Sequence, residues 1–324
     1  MTLPIFTDDS EVADVRRVRT GLYSVDMAHG FQGHRGITLN GIHEFFGRQE
    51  VGKSSLAYYL AGCINPEGKV VLIDLENSID PNYVPMAMSQ SGFRGQIKIV
   101  NLVERKKDEV TARPHEKLAT EGADLILDPE VSAVVLDSVG LFQPIQEREG
   151  EVGEAIMGRR AKAVAQFCRR CETWLAAEAL AGRYKVVFVV NHVLNVVGGR
   201  GHYSPGGDTK NYAFSSRNWM YRVDSQFDDG CFQAEIKLEK LRWGGTHKDR
   251  KGIVFIIPGI GVSTEMTAML DCVRLGIAKR GTVVKIGDKS MGRIGKLIEH
   301  AREKNSTKFK AFFDELEAYE ETQK

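Results

Sequence analysis

The stretch from Gly47 to Ser54 (GRQEVGKS) constrains the fold more than any other, because it joins a strand-like apolar run at 37–46 to a helix-like run at 54–63. Its two glycines, followed by Lys53 and a hydroxyl residue, match the pattern G-x-x-x-x-G-K-[ST]. Such glycines let backbone N–H groups turn inward around phosphate oxygens, and the start of the following helix adds a partial positive charge. The sequence therefore predicts a strand–loop–helix unit that binds the phosphates of a nucleotide. The alternative, a chance glycine-rich turn, does not account for the two flanking runs.

Within this loop, Lys53 is predicted to reach the β- and γ-phosphates, and the Ser54 hydroxyl is predicted to ligate Mg²⁺. The predicted nucleotide-binding residues run through the loop and into the helix: Gly47, Arg48, Gln49, Glu50, Val51, Gly52, Lys53, Ser54 and Ser55. The use made of the nucleotide has to be inferred from the rest of the chain.

Length and composition fit an ordinary globular protein. The chain has 324 residues, 42% of them hydrophobic and 27% charged, which suits one large domain or one core with small attachments. A net charge of +1 gives no global attraction to nucleic acid, so such binding requires local patches. We expect a cytoplasmic protein, because no apolar run reaches the length of a membrane span and the N-terminus lacks a signal-peptide region. Five cysteines argue against a disulfide framework, and the Cys168–Cys171 pair is predicted to be two reduced helix cysteines.

Four further apolar runs indicate the fold class. They are residues 70–73, 97–103, 131–136 and 186–190. Polar, helix-compatible segments separate them, as in a parallel α/β sheet with helices on both faces. Sheets of this kind bind ligands beyond the carboxyl ends of their strands. We therefore expect the functional side chains at those ends.

Polar residues do follow three of the runs: Asp74 and Glu76, then Asp137, then Asn191 with His192. Asp137 is predicted to hold the Mg²⁺ shell, as an acid after an apolar strand does in phosphate-loop proteins; the alternative is a strand-ending turn residue. Glu76 is predicted to act as general base toward an attacking water, the alternative being a surface acid.

The segment 231–242 alternates apolar and polar residues as a strand does. Its apolar residues, Phe232 to Leu238 at every second position, are expected on one face, and Lys240 and Arg242 are expected to continue that face. Two cations on the core side of a strand suggest phosphate ligands, aimed at a nucleotide in the same subunit or the next. The alternative is a frayed strand end with both side chains in solvent.

Two glycine-punctuated loops are candidate contacts for DNA. The loop 146–158 leads into a helix in which Arg159, Lys162 and Arg169 share one face with Gln166. The loop 195–210 combines five glycines with several cations, a composition that suits ordering on a single strand read without sequence preference. The alternative for each loop alone is a solvated linker.

Several ordered motifs carry a family resemblance. Residues 20–30 are similar to T-G-x-x-x-L-D-x-x-x-G, with Val25 in the Leu place, and residues 73–83 are similar to I-D-A-E-x-x-x-D-P-x-Y. Residues 149–158 are close to E-G-E-x-G-x-x-x-M-G, and a glycine pair follows at 206–207. From about Val18 to Lys310, the chain resembles the RecA-type recombinase family, in its bacterial branch and its phage UvsX-like branch.

The resemblance implies a fold and an activity. The expected fold is an α/β RecA-type ATPase core with a mostly parallel sheet flanked by helices and two DNA-binding loops (36–265), a short N-terminal arm with an entry segment (1–35) and a small basic C-terminal domain with an acidic tail (266–324). The expected activity is DNA-dependent hydrolysis of ATP with Mg²⁺. It would serve filament formation on single-stranded DNA, homologous pairing and strand exchange with duplex DNA. The expected partners are DNA, further copies of the chain with ATP at the subunit interface, and single-strand-binding and mediator proteins, in a bacterial or phage-infected bacterial cell.

The resemblance also implies residue roles. Glu76 would activate water, Asp80 would contact the adenine amine, Tyr83 would stack on the base, and Met157 would wedge into the DNA strand. The implied catalytic residues are Lys53, Glu76, His192, Lys240 and Arg242. The predicted DNA-binding residues are Met157, Gly158, Arg159, Lys162, Arg169, Asn195, Arg200, Gly206 and Gly207.

Three departures from the bacterial pattern bear on these expectations. His192 stands where bacterial members have Gln, whereas the phage branch is similar to this chain in having Asn-His. Asn211-Tyr212 replaces a Lys-Phe interface pair, and Arg48 replaces a Pro. Two rival functions remain open: a ring-forming helicase or packaging motor, and a nucleotide-switched mediator of recombination.

The C-terminal region has a divided charge. Basic residues outnumber acidic ones between Asp271 and Lys310, which suits duplex DNA. The last eleven residues are rich in Asp and Glu, and they resemble an autoinhibitory acidic tail. The alternative for that end is an exposed polar helix.

Overall fold

The computed structural model describes residues 15–31, 33–106, 109–141, 159–195, 202–207, 209–223, 227, 229–243 and 250–322. Of the predicted DNA-binding residues, Met157, Gly158 and Arg200 lie outside these ranges. Within the described ranges, the helices are too short or too polar to cross a membrane.

Strands account for most of the described elements. In chain order they are β1 (Arg17–Val18), β2 (Ile37–Thr38), β3 (Gly41–Gly47), β4 (Lys69–Asp74), β5 (Gln96–Asn101), β6 (Val103–Lys106), β7 (Glu109–Ala112), β8 (Val131–Asp137), β9 (Val186–His192), β10 (Leu194–Asn195), β11 (His202–Tyr203), β12 (Ser216–Val223), β13 (Phe232–Leu241), β14 (Lys251–Ile257), β15 (Gly261–Ser263), β16 (Ala278–Arg280), β17 (Val284–Ile286) and β18 (Lys289–Gly292).

Helices lie between these strands. The α-helices are α1 (Tyr23–His29), α2 (Lys53–Ile64), α3 (Tyr83–Ser89), α4 (His115–Asp124), α5 (Arg159–Leu180), α6 (Thr209–Ala213), α7 (Thr264–Arg274), α8 (Ile294–Arg302) and α9 (Lys310–Thr322). Single 3₁₀ turns occur at Leu125–Leu127, Val139–Leu141 and Ser306–Lys308.

One large sheet organises the described part of the chain. Its order is β15-β14-β13-β12-β3-β9-β8-β4-β5. Neighbours from β12 to β5 pair in parallel, while β12 to β15 form antiparallel pairs at the other edge. The predicted fold class, a mostly parallel sheet flanked by helices, is confirmed.

The strand β4 explains why helices cover both faces. Val70 and Leu72 are fully buried in the core cluster that includes α2 and α3, whereas Val71 and Ile73 are fully buried in the cluster that includes α4 and α5. Since successive side chains of a strand point to opposite faces, a continuous apolar run requires burial on both sides. The apolar run therefore predicted the layer arrangement correctly.

The C-terminal helices share a third core with α1 and β14. Phe309 and Phe312 are fully buried there, in the same cluster as Tyr23 and Phe255. Further along α9, the Glu320 carboxylate lies 2.6 Å from Arg19 and 2.9 Å from Arg35. Over its described residues, the acidic end of the chain thus belongs to a helix that packs through Phe312 and Leu316, and its acids other than Glu320 are exposed.

The expectation that Lys240 and Arg242 continue the apolar face of β13 is wrong. Leu238 pairs with Asn218 but Lys240 pairs with Arg217, so Glu239 is the extra residue of a β-bulge. Leu241 then enters the same core cluster as Leu238. Because one added residue inverts the alternation, Lys240 lies on the opposite face from Leu238.

Candidate nucleotide-binding site

The parallel strands β3, β4, β8 and β9 end at one edge of the sheet, and a cavity of about 1000 Å³ opens there. Its lining includes many residues that the sequence singled out: Gly47, Arg48, Gln49, Glu50, Gly52, Lys53, Ser54, Ser55, Glu76, Asp137 and His192. Val51, the remaining loop residue, is instead buried in the core beside α2.

The backbone of the phosphate loop requires its two glycines. A Cβ on Gly47 would lie 2.2 Å from the carbonyl oxygen of Met220, so no larger residue fits there. Gly52 has φ +83° and immediately precedes α2, a conformation that glycine adopts at no steric cost. The first turn of α2 therefore points its N–H groups and its partial positive charge toward the cavity.

Lys53 lies inside this loop. Its Nζ atom donates to the carbonyl oxygen of Arg48 at 2.6 Å, and its side chain is buried. Burial lowers the pKa of Lys53 to about 8, although Asp137 and Glu76 favour its charged form. A bound phosphate would add negative charge beside the ammonium group and raise that pKa again.

Asp137 ends β8 and is buried beneath the loop. Its carboxylate is hydrogen-bonded to the hydroxyl of Ser54, and its Oδ2 accepts a hydrogen bond from the hydroxyl of Tyr58 at 2.9 Å. Burial raises the pKa of Asp137, while these two donors oppose that shift. Hydroxyl and carboxylate oxygens are hard ligands of the kind that Mg²⁺ prefers, so this pair fits the metal that the sequence resemblance implies.

Tyr58 is a site residue that the sequence reasoning missed. It lies four residues after Ser54 on α2, so the two side chains share one helical face. The spacing of four residues between Ser54 and Tyr58 is the sequence feature that could have identified Tyr58.

Glu76 follows β4 and is held by two hydrogen bonds. Its Oε1 accepts from the hydroxyl of Ser138 and is 2.9 Å from Nε2 of His192. The hydrogen bond from His192 lowers the pKa of Glu76, so the carboxylate is ionised at neutral pH. Asp74 fixes the turn, because its carboxylate accepts the backbone N–H groups of Glu76, Ser78 and Ile79 at 3.2, 3.2 and 3.1 Å.

The two residues expected to contact the base lie beside the loop helix. Tyr83 begins α3, and its hydroxyl shares a hydrogen bond of 2.5 Å with Ser55, which lines the cavity. Asp80 is exposed, and its carboxylate accepts the backbone N–H of Asn82 at 2.8 Å. Tyr83 thus contacts a lining residue of the cavity, but over the described residues neither Tyr83 nor Asp80 belongs to that lining.

Lys240 and Arg242 lie elsewhere in the same protomer. Lys240 donates to the carbonyl oxygens of Asn211 and Tyr212, and Arg242 donates to those of Tyr212 and Ala213 at the end of α6. Burial lowers the pKa of Lys240 to about 8. Within the part of the chain that the structure describes, neither cation is among the residues that line the cavity.

The remaining predicted DNA contacts occupy three elements. Arg159 begins α5, on which the side chains of Lys162 and Arg169 are exposed. Asn195 ends β10. The glycine pair has φ of +111° at Gly206, which is buried, and +74° at Gly207, which is exposed.

A second cavity of about 610 Å³ also borders the phosphate loop, and the sequence reasoning did not predict it. Arg48 lines both cavities. The second one also presents cationic and aromatic side chains: Arg222, Lys237, Lys251, Trp219 and Tyr221.

Comparison of the sequence with known proteins identifies a family. The RecA N-terminal domain family matches residues 5–229. Protein RecA of Aquifex pyrophilus is 25% identical over 292 residues, which cover 87% of this chain and 77% of the relative. Protein RecA of Acinetobacter baylyi is 26% identical over 260 residues (79% and 68%), and that of Chlamydia trachomatis serovar D is 25% identical over 317 residues (95% and 82%). Because the family match spans well over half of its length, the chain belongs to the RecA-type recombinase family.

Proposed function

We propose that the chain is an ATP-dependent DNA recombinase that forms helical filaments on single-stranded DNA and catalyses homologous pairing and strand exchange. One observation carries the proposal: Lys53, Ser54, Glu76 and Asp137 converge on a single cavity at the carboxyl edge of the sheet. Members of this family are in general P-loop ATPases that depend on DNA. The remaining steps follow from what each side chain contacts.

The phosphate loop binds the triphosphate. Its inward N–H groups and the start of α2 contact phosphate oxygens, and Lys53 leaves the Arg48 carbonyl to pair with the β- and γ-phosphates. Ser54 and Asp137 would hold Mg²⁺. When bound, the ion supplies positive charge that neutralises the phosphate oxygens.

Glu76 acts as the general base. Its carboxylate, ionised at neutral pH, accepts a proton from the water that attacks the γ-phosphorus, and the bond from that phosphorus to the ADP oxygen breaks. In the structure, one oxygen of Glu76 is already engaged by Ser138 and His192. We infer that His192 exchanges Glu76 for the γ-phosphate when ATP binds, which frees the base and changes the loop after β9.

A neighbouring protomer completes the cavity. Lys240 and Arg242 bind the end of α6 rather than the lining of the cavity in their own chain. We therefore assign them to the nucleotide of the adjacent subunit, where they stabilise charge on the transferred phosphoryl group. In this arrangement, ATP hydrolysis requires two adjacent protomers to assemble.

The proposed DNA contacts combine two loops with two exposed cations of α5. The loops 146–158 and 195–210, with the exposed Lys162 and Arg169, would follow the backbone of a single strand, and Met157 would wedge between bases. The second cavity has a matching composition, because Trp219 and Tyr221 offer ring faces with centroids 5.6 Å apart among several cations. The basic C-terminal region would bind duplex DNA.

Two measurements test the function. Single-stranded DNA is expected to stimulate ATP hydrolysis, and electron microscopy with DNA and a non-hydrolysable ATP analogue is expected to reveal helical filaments. Closed rings would favour the motor. A protein that binds nucleotide but hydrolyses none in the presence of DNA would favour the mediator.

A further inference from the structure

A buried carboxylate lies directly beneath the phosphate loop. Glu44, on β3 and three residues before Gly47, is 0% exposed. Its Oε1 accepts hydrogen bonds from Lys210 and from the amide of Asn191, both at 2.9 Å, and its Oε2 accepts one from Arg217 at 2.8 Å. Burial would raise the pKa of Glu44, but Lys210 and Arg217 together outweigh it and lower the pKa, so the group is ionised.

Lys210 is as buried as its partner. Its side chain is 1% exposed, and its Nζ donates to Glu44 and also to the hydroxyl of Ser204 at 2.6 Å and the amide oxygen of Asn211 at 3.3 Å. Lys210, one of the cations of the loop 195–210, is therefore buried against Glu44 and is not open to a partner. A buried ion pair of this kind contributes little net stability, because desolvation offsets the attraction. Stability alone therefore does not explain why a lysine is buried beside Glu44.

Glu44 and its three hydrogen-bond donors (Lys210, Asn191 and Arg217) form one cluster, the Glu44 group. This group contacts both chain segments that flank residues 196–201. Before them, the amide oxygen of Asn191 accepts the backbone N–H of His192 at 2.9 Å. After them, Ser204 accepts from Lys210 and from Arg217, and Pro205 accepts from the amide of Asn191 at 2.9 Å.

Strand β3 connects the Glu44 group directly to the phosphate loop. In the parallel pair β3–β9, Phe46 is opposite Asn191 and Gly47 is opposite His192. Glu44 lies on the same strand as Gly47, so a shift of the phosphate loop along β3 moves the carboxylate that Lys210 and Asn191 contact. Packed elements with two discrete arrangements transmit such shifts.

We propose that Glu44, Lys210 and Arg217 are positioning residues, which fix His192 and residues 204–207 relative to the phosphate loop and transmit nucleotide occupancy between them through β3. The inference rests on the proposed function, since it deepens the account of how the nucleotide cavity acts on the second DNA loop. The exchange of His192 between Glu76 and phosphate requires a contact between His192 and the nucleotide. The route through β3 requires no contact of Lys210 or Arg217 with the nucleotide.

The same sheet supplies a matched control. Lys185, just before β9, forms a second buried ion pair with Glu178 at 2.8 Å, and both side chains are 3% exposed. Its Nζ also donates to the carbonyl oxygens of Ile126 and Asp128. Breaking this pair removes a comparable buried contact at the end of β9 remote from the cavity.

The experiment compares Lys210→Met with Lys185→Met in the full chain. Binding of a fluorescent ATP analogue reports occupancy, and hydrogen exchange with and without a non-hydrolysable analogue reports protection at 47–54 and at 202–207. In the wild type and in Lys185→Met, we expect protection at both segments. In Lys210→Met, we expect protection at 47–54 to persist and that at 202–207 to fall by about tenfold, within the usual range of coupling between sites.

A second variant guards against misfolding. Glu44→Gln combined with Lys210→Met removes both charges of the pair, and Arg217 keeps Glu239 as a partner at 3.4 Å. It is expected to behave as Lys210→Met does.

Three outcomes would overturn the inference: full protection at 202–207 in the double variant, equal loss in Lys185→Met, or no nucleotide-dependent protection there in the wild type. The proposed function fails on a different result. A wild-type protein with coupled protection but no DNA-stimulated hydrolysis would contradict the function and leave the positioning role standing.

Discussion

The Nε2 atom of His192 lies 2.9 Å from Oε1 of Glu76, and the hydroxyl of Ser138 donates to the same oxygen. The three residues lie at the carboxyl ends of β9, β4 and β8, and β8 lies between the other two strands in the sheet. The proposed base is thus restrained by residues at the ends of two other strands, β8 and β9. A nucleotide that engages His192 would remove one of these restraints, so substrate binding and activation of the base are linked.

Glu76→Gln is expected to reduce DNA-stimulated ATP hydrolysis by about 10²- to 10⁴-fold, because the amide cannot accept the proton of the attacking water. Affinity for the nucleotide should change little, since the phosphate loop is untouched. Steady-state hydrolysis and binding of a fluorescent ATP analogue measure the two effects. An unchanged rate would show that Glu76 is not the base.

Tyr58→Phe is expected to weaken Mg²⁺ binding by about tenfold, because Asp137 loses a hydrogen bond that orients its carboxylate. Electron paramagnetic resonance of Mn²⁺ titrated into the protein with ADP measures metal binding without turnover. The adjacent Tyr59→Phe is the control, since the Tyr59 hydroxyl is buried and donates to the carbonyl oxygen of Thr20 at 2.7 Å. Similar losses in both variants would mean that the effect is a general one on α2.

The fold class and most of the cavity lining could be predicted because their signals are local. In an α/β protein, a continuous apolar run such as 70–73 is typical of a parallel strand buried on both faces. The residue spacing in GRQEVGKS is typical of a phosphate-binding loop. The polar residues after the strands, Glu76, Asp137 and His192, meet because parallel strands share one carboxyl edge.

The errors arose where pairing between distant segments decides the outcome. The bulge at Glu239 depends on the register of β13 against Arg217 and Asn218, and no feature of the segment 231–242 specifies it. Lys210 resembled a loop cation because its partner, Glu44, lies 166 residues earlier in the chain. Buried polar pairs of that separation leave no local pattern.

Replacing Lys240 and Arg242 together by Ala is expected to abolish ATP hydrolysis while leaving nucleotide binding intact, because both residues would act on a neighbour's nucleotide. Mixing this variant with Lys53→Ala should restore part of the hydrolysis, since mixed interfaces combine an intact loop with intact cations. Both cations also donate to carbonyl oxygens at the end of α6, so thermal unfolding of each variant serves as the control for stability. Absence of any rescue would favour a role within one subunit.

Met157→Ala is expected to weaken strand exchange more than it weakens ATP binding, because a shortened side chain cannot separate neighbouring bases. Exchange between a labelled single strand and a homologous duplex, measured beside nucleotide affinity, distinguishes the two effects. Equal losses would indicate that the loop 146–158 has another role.

Asp271 gives a prediction for stability against pH. It lies on α7, and its Oδ2 accepts the backbone N–H of Ser24 at 3.1 Å. Burial raises the pKa of Asp271 from 3.8 to about 7, so the folded protein binds a proton that the unfolded chain releases between those values. The free energy of unfolding should therefore fall as pH rises from about 4 to 7, by on the order of 4 kcal/mol for this group.

Asp271→Asn removes the titration but keeps an oxygen that accepts the N–H of Ser24. We expect the variant to be more stable than the wild type at pH 8 and close to it at pH 4, with urea unfolding as the measurement. The exposed Asp288→Asn should leave the pH dependence as it is in the wild type. If Asp271→Asn retains the wild-type slope, the proton is taken up elsewhere, and the buried carboxyl of Asp271 is charged in the folded protein at neutral pH.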